Sequence, residues 1–178
     1  ATMLGVAWVV SLAVARQRAL AAAAQRHAEV AELLRATGDT LRDAPHLDDR
    51  LLDRRDLKGV DLTGAVLRDA NLQRADLTGA VLREVEAVDS RFNSALMANA
   101  DLTRANLRNA DLTRADLKGA KLKDADLRQA RLFRADLRNA DLTGAELTGA
   151  DLSGTELAGA TWTDGTRICG PRSVGLCQ

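Results

Sequence analysis

The sequence predicts an all-β solenoid in which the chain turns once in every five residues. Two apolar series with a period of five support this prediction. The first is the series of central residues from Leu57 to Trp162, of which 18 of 22 are leucine; the second lies two residues earlier, and 17 of its 22 members are alanine. Aromatic residues make up only 2% of the chain, so Leu, Ala and Val must build the core.

A period of five fits neither an α-helix nor a flat strand. On a helix, five residues advance by a net angle of roughly 140°, so the leucines would scatter around the axis. On a flat strand, an odd step places successive leucines on opposite faces. The chain must therefore turn within each unit, so that both apolar series return to the inside.

Residues suited to tight turns recur two positions after the central residue. Gly and Asn accept the positive φ that the third position of a type II turn requires. Other units carry Arg, Asp, Glu, Gln or Ser at this position, so we expect a second turn type to alternate with the first. The glycines and asparagines are Gly59, Gly64, Gly79, Gly119, Gly144, Gly149, Gly154, Gly159, Asn99, Asn109 and Asn139.

These units resemble the A(D/N)LXX repeat of the pentapeptide-repeat proteins. Clear copies are ADLTG at 75–79, ADLTR at 100–104, ANLRN at 105–109, ADLKG at 115–119 and ADLTG at 140–144. The resemblance covers residues 55–163, which we assign to the repeat domain. It implies a right-handed quadrilateral β-helix with four pentapeptides per coil, hence about five and a half coils in this chain.

One coil looks weaker than the others. Between Glu84 and Asn99, Ala87 replaces a central leucine, Ser90 replaces an inner alanine, and Leu96 occupies an outward position. Loss of a large inner side chain leaves a cavity or forces collapse. We expect a locally irregular coil here; the alternative is a bulge that contacts a partner through Leu96.

The N-terminal part is assigned to an apolar segment that continues into an α-helix over residues 1–37, with a linker and cap over residues 38–54. Residues 1–15 carry no charge, but a full transmembrane span needs about 20 residues. We expect part of a transmembrane helix; a signal-peptide core and a soluble apolar helix are the alternatives. Under the positive-inside rule, Arg16, Arg18 and Arg26 then place the repeat domain on the cytoplasmic side.

The N-terminal helix also offers a route to self-association. Leu20, His27, Leu34 and Leu41 lie seven residues apart, which is a thin coiled-coil-like seam. It supports either a homo-oligomer or, as the preferred interpretation, a spacer helix. His27 on this seam is interpreted as structural.

The C-terminal tail, residues 164–178, leaves the period and is expected to be irregular. Cys169 and Cys177 enclose a loop with glycine and proline that would permit a disulfide. An oxidising compartment favours the disulfide, whereas the cytoplasm favours free thiols. The predicted orientation favours thiols and the loop favours a bridge, so the redox state stays open.

The outer surface is expected to carry function, because the inner positions are filled by Ala and Leu. Residues 20 apart should stack, which predicts a basic strip and, on the opposite side, an acidic strip of Asp56, Asp76, Asp116, Asp136 and Glu156. The first interpretation of the basic strip is a solvated, charge-balanced surface, and the alternative is a docking surface for an anionic partner or headgroup. The basic strip comprises Arg68, Arg108 and Arg128, then Arg74, Arg114 and Arg134, and then Arg91 and Arg131.

No motif in the sequence indicates catalysis, a cofactor or a metal centre. The many Asp residues sit at one repeated outward position, where solubility and turn formation explain them. We therefore predict a non-enzymatic, membrane-attached scaffold for a protein partner, for example as an accessory subunit of a membrane complex. The alternative is a soluble DNA mimic that binds a type II topoisomerase. Residues 55–164 hold 18 acidic and 16 basic side chains, so mimicry and nucleic-acid binding are both disfavoured.

Overall fold

The computed structural model describes residues 52–178, and over most of them the chain winds into a coil held by single-residue β-bridges. Parallel bridges join residues 20 positions apart, from Asp56 with Asp76 to Asp141 with Thr161. Twenty residues are four pentapeptides, as the resemblance implied. Within these residues there is no helix and no longer strand, because a turn follows every bridge. The predicted helix of residues 1–37 and most of the linker lie outside the described residues.

The four units of each coil give the rod four faces. Each face is a stack of units, one from every coil, in parallel register. We number the faces in chain order by their central residues. These are Leu57, Leu77, Met97, Leu117, Leu137 and Leu157 for face 1; Leu62, Leu82, Leu102, Leu122, Leu142 and Trp162 for face 2; Leu67, Ala87, Leu107, Leu127 and Leu147 for face 3; and Leu72, Phe92, Leu112, Leu132 and Leu152 for face 4.

Both predicted inner series form one continuous apolar core. Leu107, Leu112 and Leu127 are fully buried, as are the alanines two positions before them. Only near the ends does burial become partial, for example at Leu147, Leu152 and Trp162, because fewer coils cover them. Removal of these side chains from water is the main force that closes the coil.

The backbone hydrogen bonds explain the composition of the repeat. In a unit with a neighbouring coil on each side, four of the five N–H groups reach backbone carbonyls in those coils or across the turn. The N–H that follows the central residue instead donates to the Asp or Asn before that residue, as Thr78 does to Asp76 Oδ1 at 3.2 Å. The other four bonds around Leu77 are Asp76 N–H to Arg55 O (2.8 Å), Leu77 N–H to Leu96 O (2.7 Å), Gly79 N–H to Ala98 O (2.9 Å) and Ala80 N–H to Leu77 O (2.9 Å).

The prediction that a second turn type alternates with the first is wrong about the corner residue, because φ at this residue has the same sign in every unit. All 22 repeat units from the one ending at Arg54 to the one ending at Gly159 have a positive φ at their last residue. The 14 non-glycine residues have φ between 55° and 59°, close to the 61–74° of the eight glycines. The stacked coils impose the same sign of φ on every corner, and their burial and hydrogen bonds outweigh the local cost for Arg, Asp or Glu.

The coil from Glu84 to Asn99 is regular, so the expected irregularity and the alternative bulge are both wrong. The bridges of Glu86, Arg91 and Leu96 keep the 20-residue register on both sides. Ala87 and Phe92 are both completely buried, so the large ring occupies the interior beside the small residue. The buried Ser90 hydroxyl donates to the Ala87 carbonyl at 2.6 Å, which satisfies the polar group within the turn.

The repeat begins earlier than the predicted residue 55. Arg55 N–H donates to Leu52 O at 3.3 Å, which closes a turn like those of the later units. Arg54 has the positive φ of a repeat corner and donates its N–H to Gln73 O of the following coil. The unit centred on Leu52 is therefore a repeat unit of face 4, although Arg55 interrupted the alanine series in the sequence.

The tail after Thr163 folds back over the last coil and caps it. It forms antiparallel bridges between Thr161 and Ile168 and between Glu156 and Val174. Leu157 N–H donates to Ser173 O at 2.9 Å, and Trp162 N–H donates to Arg167 O at 2.7 Å, so the tail satisfies edge groups of the last coil on faces 1 and 2. The tail is thus more ordered than the irregular segment that we expected.

Candidate functional site

The 20-residue register brings the eight predicted arginines to faces 3 and 4, which adjoin. Arg68, Arg108 and Arg128 share one position on face 3, directly after the central residue. The other five lie on face 4, at its corner position or directly before the central residue. The stacking that the sequence predicted is therefore present, and the partners of each arginine decide what the surface offers.

Two of the three arginines on face 3 are already paired with carboxylates. Arg68 Nη2 lies 3.1 Å from Glu86 Oε2 in the next coil. Arg128 Nε donates to Asp126 Oδ1 at 2.8 Å and also lies 3.3 Å from Glu146 Oε2. Arg108 is exposed and has no ion pair within residues 52–178. Only Arg108 of these three therefore makes no ion pair, although its charge contributes to lowering the pKa of Asp126 after the hydrogen bonds from Arg128.

The corner of face 4 presents a column of arginines without such partners. Arg74, Arg114 and Arg134 are exposed, and none makes an ion pair with another described residue. Neighbouring coils lie about 4.8 Å apart, so Arg114 and Arg134 are one spacing apart and Arg74 lies two spacings from Arg114. The guanidinium carbon of Arg134 lies 5.0 Å from the centre of the Phe133 ring. We call Arg74, Arg114 and Arg134 the arginine corner.

The third predicted column is mixed in charge. Arg91 and Arg131 both form backbone β-bridges with Asp111, which lies between them in the stack. Arg131 also forms a β-bridge with Asp151. Arg131 contributes to lowering the pKa of Asp151, after the hydrogen bonds from Ser153 to that carboxylate. The column therefore alternates in sign, and it adds less positive potential than the sequence count suggested.

The predicted acidic strip on face 1 is partly neutralised by its own cations. Lys58 Nζ lies 3.0 Å from Asp76 Oδ2, and Arg138 Nε lies 3.2 Å from Glu156 Oε2. Lysine or arginine follows the central residue in three units of this face, which brings a cation beside the carboxylate column. Leu96 lies within that column, and with these cations face 1 is less negative than its five carboxylates alone indicate.

Most aspartates before a central residue have a structural role. Hydrogen bonds from the Arg138 guanidinium, against the opposing effect of partial burial, lower the pKa of Asp136. The Arg128 guanidinium and the Arg128 N–H lower the pKa of Asp126 in the same way. These carboxylates stay ionised and cap backbone N–H groups, which is unsuited to a general acid near neutral pH.

The structure also contains an apolar surface that the sequence analysis did not identify. Ile168, Val174 and Leu176 of the tail are exposed by 59%, 56% and 60%. Cys169 and Cys177, which are buried in the same tail, are joined by a disulfide with a Cα–Cα distance of 4.8 Å. The available signal was the position of each apolar residue next to, or close to, a cysteine.

Residues 52–178 contain no arrangement of three or more His, Cys, Asp or Glu that could hold a metal ion. Nor does this part of the chain include a helix that is long and apolar enough to cross a bilayer. The proposed membrane segment, residues 1–15, and the seam from Leu20 to Leu41 lie outside the described residues.

Comparison with known proteins identifies the repeat. The family profile for pentapeptide repeats matches eight copies over residues 52–85, 90–129 and 130–161. No curated protein matches the chain.

Solved structures of similar proteins share the repeat over part of their length. HetL, a pentapeptide repeat protein involved in heterocyst differentiation regulation in the cyanobacterium Nostoc, is 38% identical over 65% of this chain, with a TM-score of 0.44. Rfr23 from the cyanobacterium Cyanothece is 41% identical over 58% of this chain, with a TM-score of 0.40. The fluoroquinolone resistance protein QnrB1 is 16% identical over 61% of this chain and 68% of its own, with a TM-score of 0.39.

The chain spans 58% of the length of HetL and 60% of that of Rfr23. The family match itself covers more than half of the chain, includes the units that the sequence analysis singled out, and follows the register of the bridges. Members of the family fold into right-handed quadrilateral β-helices, and this chain belongs to the pentapeptide-repeat family.

Proposed function

We propose that this chain is a non-enzymatic scaffold whose repeat domain, a rod of about five and a half coils, binds an acidic protein surface. The observation that carries this proposal is the arginine corner with Arg108, four exposed cations that make no ion pair with a carboxylate of the described residues. Other arginines on the same faces are held by carboxylates of the rod. Family members generally serve as structural or interaction proteins, which supports a binding role.

An acidic protein surface suits these arginines for a physical reason. Each guanidinium can bind a carboxylate through two parallel hydrogen bonds, and an unpaired guanidinium loses no internal ion pair when it does so. The rod is rigid because every coil is bonded to its neighbours, so little order has to be gained on binding. The repeat as a whole is near neutral, which favours local recognition over long-range attraction to polyanions.

The test is a charge reversal with a matched control. We expect the triple variant Arg108→Glu, Arg114→Glu and Arg134→Glu to lose a partner that co-purifies with the full chain from native membranes. The control, Lys118→Glu, Lys121→Glu and Lys123→Glu, makes the same change in net charge on faces 1 and 2 and should retain that partner. Equal recovery with both variants would remove the arginine surface from the proposal. Vesicles of anionic and of neutral lipids, run in parallel, identify binding to lipid headgroups instead.

We further propose that residues 1–15 attach the scaffold to a membrane, because this stretch carries no charge and Arg16 and Arg18 follow it. Extraction of native membranes with alkaline carbonate tests this. The full chain should stay in the pellet, and a variant with two lysines placed between residues 6 and 10 should move to the supernatant. Recovery of the unmodified chain in the supernatant would contradict attachment.

Two features give opposite expectations for the side of the membrane on which the repeat domain lies. The arginines after residue 15 predict the cytoplasmic side. The disulfide between Cys169 and Cys177 predicts an oxidising compartment, because cytoplasmic thiols are kept reduced. We propose the oxidising side, since the bridge is part of the folded cap. Alkylation of intact cells before lysis, followed by reduction and labelling with maleimide-polyethylene glycol, should shift both cysteines only after reduction.

The alternative of a DNA mimic for a type II topoisomerase receives less support. Mimicry needs a continuous negative surface, whereas face 1 is interrupted by Leu96 and carries Lys58, Lys118 and Arg138. A supercoiling assay with gyrase and a quinolone separates the two functions. Protection at a near-stoichiometric amount of the chain would favour mimicry over the scaffold.

A further inference from the structure

We propose that Arg74, Ser94 and Arg114 together form a binding site for a phosphate group, either inorganic phosphate or a phosphomonoester. We call these three residues the Ser94 notch. The notch shares two arginines with the surface proposed for the acidic partner, but its ligand is a small oxyanion. It therefore goes beyond the scaffold function and can be tested without the partner.

Ser94 interrupts a column of arginines at one corner of face 4. Ser94 N–H donates to Thr113 O at 2.9 Å, and Arg74 N–H makes the equivalent bond to the coil of Ser94, so consecutive coils hold these residues in register. The φ angles of Arg74, Ser94 and Arg114 are 56°, 59° and 58°, so the backbone presents the three side chains alike. A short hydroxymethyl group therefore lies between two long cationic side chains. The full column is Arg54, Arg74, Ser94, Arg114, Arg134 and Gly154.

Side chains at the corners lean toward the following coil. A Cβ added to Gly154 would lie 3.2 Å from Cγ of Arg134, the residue 20 positions earlier, and other corner glycines show the same relation to the preceding coil. By this geometry Arg74 leans toward Ser94, and Ser94 leans toward Arg114. The Cα atoms of the two arginines are two coil spacings apart, about 10 Å. A phosphate group with hydrogen bonds of about 2.8 Å on both sides fits this gap.

All three groups of the notch are available to a ligand. Arg74 and Arg114 are exposed and make no ion pair within residues 52–178. Ser94 is half-buried, and its hydroxyl is open to solvent and bonds to no other described residue. By contrast, the Ser90 hydroxyl of the same unit is buried and donates to Ala87 O. Binding of an anion at the notch therefore breaks no ion pair or hydrogen bond of these side chains within the described chain.

The acidic column of face 1 is interrupted at the level of the notch. The position two residues after the corner carries Asp76 and Asp116 in the coils on either side, but Leu96 in the coil of Ser94. Of the two flanking carboxylates, Asp76 is paired with Lys58 Nζ at 3.0 Å. An anion beside Ser94 therefore meets no carboxylate at its own level on this face.

Face 4 supplies a net positive charge around the notch. Its three units at residues 70–74, 90–94 and 110–114 contain three arginines and one carboxylate, Asp111, a net charge of +2. Asp111 Oδ1 accepts a hydrogen bond from Thr113 N–H at 3.0 Å and is already engaged within the repeat. This charge suits a dianion.

A phosphate group matches the notch better than a carboxylate does. Each guanidinium presents paired N–H donors, and the serine hydroxyl adds a further donor. A phosphomonoester has three strong acceptor oxygens and nearly two negative charges at neutral pH, so it can bind both guanidinium groups and the hydroxyl. A carboxylate has two oxygens and one charge, which satisfy a single guanidinium fork. Bound phosphate also competes with an acidic partner for Arg74 and Arg114.

The experiment measures binding of inorganic phosphate to the full chain in a mild detergent, by isothermal titration calorimetry at constant ionic strength. The variant Arg74→Gln with Arg114→Gln should weaken binding by about 30-fold or more, because it removes both charged donors. Ser94→Ala should weaken it by about threefold to tenfold. The control, Lys118→Gln with Lys123→Gln, removes the same charge from exposed residues of faces 1 and 2 and should leave the dissociation constant unchanged.

The variant Ser94→Arg separates a built site from general attraction to positive charge. Arg74 and Arg114 adopt the same φ, so this corner accepts an arginine and the rod should fold, which thermal melts establish. The new side chain fills the gap and removes the hydroxyl, so phosphate binding should weaken by about tenfold although the chain gains a charge. Stronger binding by this variant would overturn the proposal. So would equal binding by the double arginine variant, or no binding by the unmodified chain.

Two further probes identify the source of the phosphate group. Glycerol phosphate is a soluble monoester, and short-chain phosphatidic acid is a lipid headgroup of the same chemistry. The tightest of the three probes whose binding depends on Arg74 and Arg114 assigns the natural source. A chain that binds none of them but loses its protein partner on charge reversal overturns the notch and leaves the scaffold function standing.

Discussion

Thr143 donates two hydrogen bonds to one oxygen of Asp141, from its hydroxyl at 2.6 Å and from its backbone N–H at 3.0 Å. These two bonds, the hydroxyl first, lower the pKa of Asp141. The same geometry recurs along the rod, for instance between Thr103 and Asp101. The aspartate of the repeat therefore acts as a side-chain cap for the one N–H that the coils cannot satisfy.

We predict that Asp141→Ala lowers the free energy of unfolding by about 1 kcal/mol, because it leaves the Thr143 N–H without its acceptor. Asp141→Asn should lower the free energy of unfolding by only about 0.3 kcal/mol. Asn71 and Asn106 occupy the same repeat position and accept the equivalent bond at 3.2 and 3.4 Å. Urea unfolding of both variants measures the difference. Equal losses for the two would show that charge, not capping, is the contribution of Asp141.

The carboxylates of the rod also predict a loss of stability in acid. Hydrogen bonds hold the pKa of Asp101, Asp126, Asp136 and Asp141 below the ordinary 3.8, although burial opposes them. A lowered pKa stabilises the fold above the unfolded value and loses this contribution as pH falls through the folded value. The free energy of unfolding should therefore be flat from pH 7 to about pH 5 and fall below about pH 4.

Urea titrations across this pH range check that prediction. A triple variant with Asn in place of Asp126, Asp136 and Asp141 should show a shallower decline, since these amides keep the caps and do not titrate. An unchanged slope in the triple variant would assign the acid sensitivity to other groups.

The fold could be predicted from the sequence because residues at the same position of each repeat unit lie in the same environment, either inside or outside the coil. Leu112 and Ala110 are fully buried in the structure, as the two apolar series required. The corner residues were predicted less well: Arg114 has a positive φ, as Gly119 has, because contacts between coils override the local preference of arginine. The pairing state of each arginine could not be predicted, since it depends on which side chain lies one coil away. The exposed apolar residues Ile168 and Val174 lie in the tail, outside the five-residue period, so the repeat pattern could not predict their positions.

Two glycines at the same position of face 2 offer a direct measure of contact between coils. Gly64 and Gly144 have nearly equal φ, 68° and 71°. Among residues 52–178, a Cβ on Gly64 would have no neighbour within 4 Å, whereas one on Gly144 would clash with Asp124 Oδ1. We predict that Gly64→Ala costs about 1 kcal/mol, from the positive φ alone. Gly144→Ala should cost clearly more, because the Asp124 side chain has to move.

Thermal unfolding of the two alanine variants provides the measurement. The added variant Gly144→Ala with Asp124→Ala removes the obstructing carboxylate and should recover the extra loss. If Gly64→Ala and Gly144→Ala lower the melting temperature equally, side chains of one coil do not constrain the corners of the next.

The interior of the coil between Glu84 and Asn99 depends on matched volumes at Ala87 and Phe92, which are consecutive central residues and fully buried. We predict that Ala87→Leu alone costs about 1–3 kcal/mol through overpacking. Phe92→Leu alone should cost about 1 kcal/mol as a shape change in the same space. The double variant restores the ordinary pair of leucines and should cost less than the sum. Additive losses in a double-mutant cycle would mean that the two side chains do not share one cavity.

Removing the disulfide should loosen the C-terminal cap without unfolding the middle of the rod. Cys169 and Cys177 close a loop with a sequence separation of eight, for which chain entropy predicts a contribution of about 2–3 kcal/mol. In a solenoid each coil contacts only its neighbours, so the loss should stay near the cap. Cys169→Ser with Cys177→Ser should therefore speed amide exchange at Leu157 and Gly159, whose N–H groups donate to Ser173 and Cys169. Exchange at Leu107 and Asn109, which donate to the next coil instead, should remain slow. Unchanged exchange at Leu157 in the double variant, or in the reduced wild-type chain, would mean that the backbone hydrogen bonds of the tail hold the cap without the bridge.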